Sequence, residues 1–308
     1  MKYINTFLAL AVLTITIAVS GVARTDQAAV KHSMIVSTEW LAKHLNDDGL
    51  VLLQVGDKKE YDAAHIPGAQ YIQNSDISAP RVQGGLTLEL PPVDQLKAAF
   101  EKFGVTDKSR IIVYFGKDWV TPTSRVYFTL DYLGLGDRTS ILDGGLPAWV
   151  AEKRPVTMEV NTPPRGSFTP HPNSKLVVDA AWVSANINKP GVAIVDARDT
   201  KFYTGEAAGN GNHFGHIPSA KSIPFATLVE DSNKFKTPEA LRALFNTAGV
   251  KAKDSVTTYC HIGQQASLLY FVAKYLGYDA HLYDGSFQDW SNRSELPIEK
   301  SEATTPRP

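Results

Sequence analysis

The chain has 308 residues, with 31 basic against 32 acidic side chains and a hydrophobic fraction of 43%. This near-neutral balance lacks the basic excess of a nucleic-acid-binding protein, and the apolar content is enough for two cores. The single cysteine, Cys260, rules out an internal disulfide, and one Cys beside one His is too few ligands for a structural zinc site.

The chain opens Met1-Lys2-Tyr3, runs apolar from Phe7 to Val19 and then reads Ser20-Gly21-Val22-Ala23. A basic start, a short apolar run and small residues predict a signal peptide over 1–23, cut after Ala23 or, alternatively, Ser20. An uncleaved anchor is the competing reading, because Phe7 to Ala23 is borderline for spanning a bilayer. Cleavage implies export to the periplasm or the medium, with no membrane contact afterwards.

Beyond the leader the chain repeats itself. Val51 to Val55, Arg110 to Phe115 and Ser140 to Leu142 read as strands, and Val192 to Asp196, Ser255 to Tyr259 and His281 to Tyr283 answer them. His65-Ile66-Pro67-Gly68-Ala69 is matched by His216-Ile217-Pro218-Ser219-Ala220, and Asp143-Gly144 with Trp149 by Asp284-Gly285 with Trp290. Such a long period marks a tandem domain rather than a solenoid. The predicted units are 34–155 and 174–298. Between them, 156–173 holds Pro163, Pro164, Gly166, Pro170 and Pro172, an extended and fairly stiff linker. In the second unit Thr237 caps a helix over Pro238 to Phe245. Leu268, Phe271, Val272, Tyr275 and Leu276 give a helix with one buried stripe, ended by Gly277. Strands alternating with helices predict an α/β fold, each unit a mostly parallel sheet flanked by helices. The polar tail from Ser301 is predicted to be disordered.

Cys260 stands at a strand end, before Cys260-His261-Ile262-Gly263-Gln264-Gln265 and a helix predicted to start after Ala266. It is either a buried filler or a working thiol. A strand-to-helix loop favours the thiol, because its N–H groups and the helix start stabilise a thiolate. Arg198 could offer a fixed charge to an anion or form an ion pair with Asp196, itself expected to be a strand-end acceptor. His261 could assist an anionic substrate when protonated, or simply face solvent. His65 and His216 recur in both units, including the one without a nucleophile, which points to turn-stabilising roles.

Asp196-Ala197-Arg198, Gly215-His216-Ile217-Pro218-Ser219-Ala220, the Cys260 loop and Asp284-Gly285-Ser286 with Trp290 together resemble the rhodanese domains of tandem thiosulfate and mercaptopyruvate sulfurtransferases, over roughly Ser33 to Pro297. The resemblance implies Cys260 as the catalytic residue, forming a persulfide. Arg198, His261, Gly263, Gln264 and Gln265 would bind substrate, and Asp196 would be structural. It also implies a small anionic sulfur donor, a thiophilic acceptor such as cyanide or a thiol, or a protein acceptor, and no metal or organic cofactor. The first unit carries Phe115 in place of Cys260 and Gln54-Val55-Gly56 in place of Asp196-Ala197-Arg198, so it is expected only to wall the cleft.

Other classes fit poorly. A cysteine phosphatase needs Arg where Ala266 stands, and the glycines from Gly209 to Gly215 lack dinucleotide-fingerprint spacing. No papain-like signature surrounds the Cys. The Cys260 loop matches neither the thiosulfate-type nor the mercaptopyruvate-type pattern of the family. Thiosulfate is expected over 3-mercaptopyruvate because Arg198 can meet its sulfonate-like end, a protonated His261 could assist, and Ile262 to Gln265 lack the Ser and Thr hydroxyls of the mercaptopyruvate-type loop. The alternative function is a sulfur carrier or binding module serving a protein partner.

Overall fold

A computed structural model describes residues 28–117 and 120–301. The expected leader and most of the polar tail lie outside them. In the first half, β1 (Ile35–Val36), α1 (Thr38–His44), β2 (Leu50–Val55), α2 (Lys58–Ala63) and β3 (Gln70–Ile72) precede α3 (Val93–Lys102), β4 (Arg110–Phe115), α4 (Val120–Tyr132), β5 (Thr139–Leu142) and α5 (Gly145–Ala151). The second half repeats the order. It has β6 (Val177–Val178), α6 (Ala180–Ala185), β7 (Val192–Asp196), α7 (Thr200–Thr204) and β8 (Lys221–Ser222). These are followed by α8 (Pro238–Thr247), β9 (Ser255–Tyr259), α9 (Gln264–Tyr275), β10 (Asp279–Tyr283) and α10 (Ser286–Ser291).

Each half holds a five-stranded sheet, ordered β1-β5-β4-β2-β3 and β6-β10-β9-β7-β8. Every pairing in both is parallel. The reason is legible in β4, whose Ile111 to Phe115 are all buried. A central parallel strand covered on both faces takes a continuous apolar run. Local chemistry sets the helix starts. Ser37, Asp179 and Thr237 accept the N–H groups of Trp40, Trp182 and Ala240 as side-chain caps, and Pro238 occupies the first turn where no N–H is needed.

Two apolar clusters belong to one half each, beneath Trp149 and Trp290. The third is shared, running from β2 and β4 through α4 and α9 into β9. Across it Tyr127 meets Phe271 and Phe128 meets Tyr270, edge to face at 4.7 and 5.0 Å. Within the same interface Asp131 of α4 accepts hydrogen bonds from Tyr270 Oη at 2.6 Å and Lys274 Nζ at 2.5 Å. The linker is no free tether: Phe168 is buried, and the N–H groups of Gly166, His171 and Asn173 bond carbonyls of the first half.

His65 and His216 play the same part in both halves. Each ring stacks on a tyrosine, Tyr61 at 3.9 Å and Tyr203 at 3.8 Å, and bonds that tyrosine's carbonyl through Nδ1. Each backbone also bridges an outer segment, at Thr157 and Glu299. This shared architecture explains their recurrence without any catalytic role.

Candidate active site

Three adjacent strands of the second sheet end at one place. Cys260 follows β9, Asp196 ends β7 with Arg198 just beyond, and Asp284 follows β10. Ligands of open parallel sheets bind at such carboxyl ends.

Cys260 is completely buried. Its thiol is pushed above its ordinary value by burial, against hydrogen bonds from the backbone N–H groups of Ala266, Ile262, Gly263 and Gln265. The expected inward ring of donors is therefore present, but desolvation of the thiolate outweighs it. The loop is stitched to α10. Cys260 N–H donates to Ser286 Oγ at 3.2 Å, while the N–H groups of Phe287 and Gln288 donate to the carbonyls of Cys260 and His261 at 2.9 and 3.0 Å.

The helix after the loop begins at Gln264, not after Ala266. Gly263, at φ +88°, closes the turn in the left-handed region that glycine adopts freely. The loop is thus Cys260 to Gly263, and Gln264 and Gln265 stand in the first turn of α9. The Gln264 amide faces the first half: Asn74 Nδ2 donates to its Oε1 at 3.2 Å, and its Nε2 donates to Thr121 Oγ1 at 3.4 Å. It ties the two halves together beside the loop. Gln265 keeps a buried Oε1 without a hydrogen-bond partner.

For Arg198 the ion pair is realised. Its side chain is fully buried; Nε donates to Asp196 Oδ1 at 3.0 Å, and Nη2 donates to Asp196 Oδ2 at 2.6 Å and to the Gly215 carbonyl at 2.8 Å. The guanidinium lies 4.0 Å over the Phe287 ring. Only Nη1 is left without a partner, facing Gly209, where a Cβ would come within 3.0 Å of it. Asp196 is thereby the strand-end acceptor the sequence suggested, also taking the Arg198 N–H at 2.9 Å.

Of the two readings of His261, the protonated ring is disfavoured. Burial first, and the Arg198 charge second, push its pKa down to about 4. The ring is neutral at neutral pH and meets Phe202 edge to face at 4.6 Å.

In the first half Phe115 is buried at the end of β4, and Gln54 is buried with its amide unpartnered. No thiol exists there, since Cys260 is the only cysteine in the chain. Among the described residues no cluster of three or more His, Cys, Asp or Glu could hold a metal ion.

Sequence reasoning missed Arg125, Asn74 and Thr121, which reach the Cys260 loop or its flank from the first half. Of the three, only Arg125 carried a signal, as one of just two charged residues, with Asp131, in the helix α4.

The rhodanese-like domain model matches residues 37–152 and 179–293. The chain is 32% identical to the sulfur carrier protein TtuD of Thermus thermophilus over 286 residues, covering 87% of this chain and 97% of that one. It is 28% identical over 279 residues to a Pseudomonas aeruginosa protein named as a probable 3-mercaptopyruvate sulfurtransferase, covering 86% and 98%. It is 27% identical over 273 residues to the thiosulfate sulfurtransferase of Azotobacter vinelandii, covering 86% and 97%. With the domain matched twice and relatives aligned almost end to end, the chain belongs to the tandem-domain, rhodanese-like sulfurtransferase family.

Proposed function

We propose that Cys260 takes a sulfane sulfur from an anionic donor, thiosulfate in preference to 3-mercaptopyruvate, and passes it on through a persulfide. The Cys260 thiolate attacks the outer sulfur of thiosulfate, the donor's S–S bond breaks, and sulfite leaves with the bonding pair. A thiophilic acceptor such as cyanide or a thiol then attacks the terminal sulfur, and the Cys260 thiolate departs. The observation that carries this reading is the set of backbone N–H groups from Ile262, Gly263, Gln265 and Ala266 directed at the sulfur. Such donors stabilise charge on the thiolate and on a persulfide's terminal sulfur alike.

The donor preference rests on the unpartnered Nη1 of Arg198 as an anion contact and on the absence of Ser or Thr from Ile262 to Gln265. It owes nothing to His261, whose ring is neutral. Because Cys260 has no exposed surface, a donor reaches it only when the covering groups move. Export from the cytoplasm belongs to the same proposal and rests on the composition of residues 1–23 alone; N-terminal sequencing of the mature protein tests it.

Cys260→Ser decides the mechanism. Treatment with thiosulfate should add one sulfur to the wild-type mass and none to the folded variant, whose transfer should be abolished. Transfer by a folded Ser variant would sink the persulfide. A carrier role is the second reading, favoured by the similarity to a sulfur carrier protein. In that case the persulfide forms but turns over slowly with cyanide or small thiols.

A further inference from the structure

Besides the Gln264 hydrogen bonds, the first half meets the Cys260 loop at a buried ion pair. Arg125 of α4 is fully buried, and its Nη1 donates to Asp284 Oδ1 at 2.5 Å. Its Nη2 donates to the Leu88 carbonyl. The other carboxylate oxygen of Asp284 accepts the Leu90 N–H at 3.1 Å, and Gln288 Oε1 accepts the Thr87 N–H at 2.9 Å. Arg125 and the segment from Thr87 to Leu90 thus close on the residues that follow β10.

Asp284 in turn packs on the loop. A Cβ placed on Gly263 would lie 2.9 Å from the Asp284 carbonyl oxygen, 3.2 Å from Arg125 Nη1 and 3.3 Å from Asp284 Oδ1. Gly263 is therefore wedged against the ion pair itself, and its N–H is one of those bonded to the Cys260 sulfur. Its carbonyl also accepts Ser267 Oγ at 2.8 Å, fixing it to α9.

Packing alone does not require this pair. Burying two charges forfeits hydration, and apolar residues of similar volume often serve stability equally well. What a guanidinium bonded at once to Asp284 and to the Leu88 carbonyl adds is directional placement.

We propose that Arg125 is a positioning residue for the catalytic loop: through Asp284 it holds Gly263, and with it the ring of N–H donors, in register with the Cys260 sulfur. The inference deepens the sulfur-transfer reading and rests on it for the chemistry. It also gives the first half a task beyond walling the cleft. Arg125 acts through Asp284 and takes no part in bond making.

The test uses the full chain with Arg125→Met, Arg125→Lys and the double variant Arg125→Met/Asp284→Asn. The double variant buries no unpaired charge and is the one read first. Since Cys260 is the only cysteine, the pH dependence of its alkylation by iodoacetamide reports directly on the loop. The expected result is a folded double variant whose alkylation midpoint moves to higher pH. Its kcat/KM with thiosulfate and cyanide should fall about tenfold to a hundredfold, as for a misplacement near 1 Å. Arg125→Lys, which keeps the charge but loses the fork, should recover part of both. A folded double variant with the wild-type midpoint and kcat/KM would overturn the proposal, because a purely structural pair moves the melting temperature alone. If the double variant does not fold, the same two readouts on Arg125→Lys decide in the same way. Should the wild type transfer no sulfur, the functional reading fails, while the alkylation midpoint still judges the positioning role without any donor.

Discussion

Gly263→Ala should damage both stability and transfer, and the structure separates the contributions. Gly263 sits at φ +88°, where an L-residue is disfavoured by about 1–2 kcal/mol. The new methyl would also stand 2.9 Å from the backbone oxygen of Asp284, which is held on both sides and cannot yield cheaply. Crowding of that kind costs about 1–3 kcal/mol. The sum is roughly 2–5 kcal/mol, a fall of roughly 5–15 °C in melting temperature for a chain with domains of this size. Gly191→Ala is the internal control. Its φ is +81° and nothing lies within 4 Å of the added methyl, so only the backbone contribution remains. Circular dichroism melts of the two variants give the difference, and alkylation of Cys260 with kcat/KM shows whether the donor ring has moved. Equal melting temperatures for Gly263→Ala and Gly191→Ala, with wild-type transfer in both, would refute the claim that Gly263 is wedged against the ion pair.

Three further outcomes are expected. The Cys260 thiol lies above its ordinary value through burial and His261 titrates near 4, so kcat/KM with thiosulfate should climb with pH by up to about tenfold per unit between pH 6 and 9. A maximum near pH 6.5 would contradict the neutral His261. Asp196→Ala strands a buried guanidinium and should cost about 3–5 kcal/mol in urea unfolding; a loss below about 1 kcal/mol would show that Arg198 finds another partner or water. Glu89 has a carboxyl pushed up to about 7 by burial and by the charges of Asp284 and Asp289, against the pull of Arg125. Its folded-state value lies above the ordinary 4.5, so the stability it contributes is full below that value and lost as pH rises through about 7. Glu89→Gln should therefore raise the melting temperature at pH 8 relative to wild type and flatten the decline between pH 5 and 8; parallel curves would show that Glu89 does not titrate there.

The fold was legible because its strongest signals are local. Buried parallel strands show as apolar runs, Thr237-Pro238 marks a helix start, and the duplication let each half check the other. The Cys260 loop was legible for the same reason, as a lone thiol between a strand and a helix. What remained hidden depends on distance or on magnitude. Nothing near Arg198 in sequence announces that Gly215 and Phe287 enclose it, and nothing near Arg125 announces Asp284, 159 residues away. The protonation of Cys260 and His261 is a contest between desolvation and nearby groups, and a motif shows the groups without showing the burial. The helix start was misjudged by taking Gln264 and Gln265 as loop, when Gly263 alone provides the left-handed turn.

The shared core between α4 and α9 also bears on how the chain is made. These helices begin at Val120 and Gln264, so at ribosomal speeds of about 5–20 residues per second the first waits roughly 7–30 s for its partner. During that interval Tyr127 and Phe128 have no second half to cover them. Arg125 and Asp131 lie on the same helix and meet their partners, Asp284, Tyr270 and Lys274, only when the second half arrives. Until then they are hydrated charges set among apolar side chains, the arrangement that discourages nascent chains from sticking to one another. The same residues that end as buried ties between the halves thus begin as guards against premature association, and a chain cut at the linker would keep the guards while losing what they were waiting for.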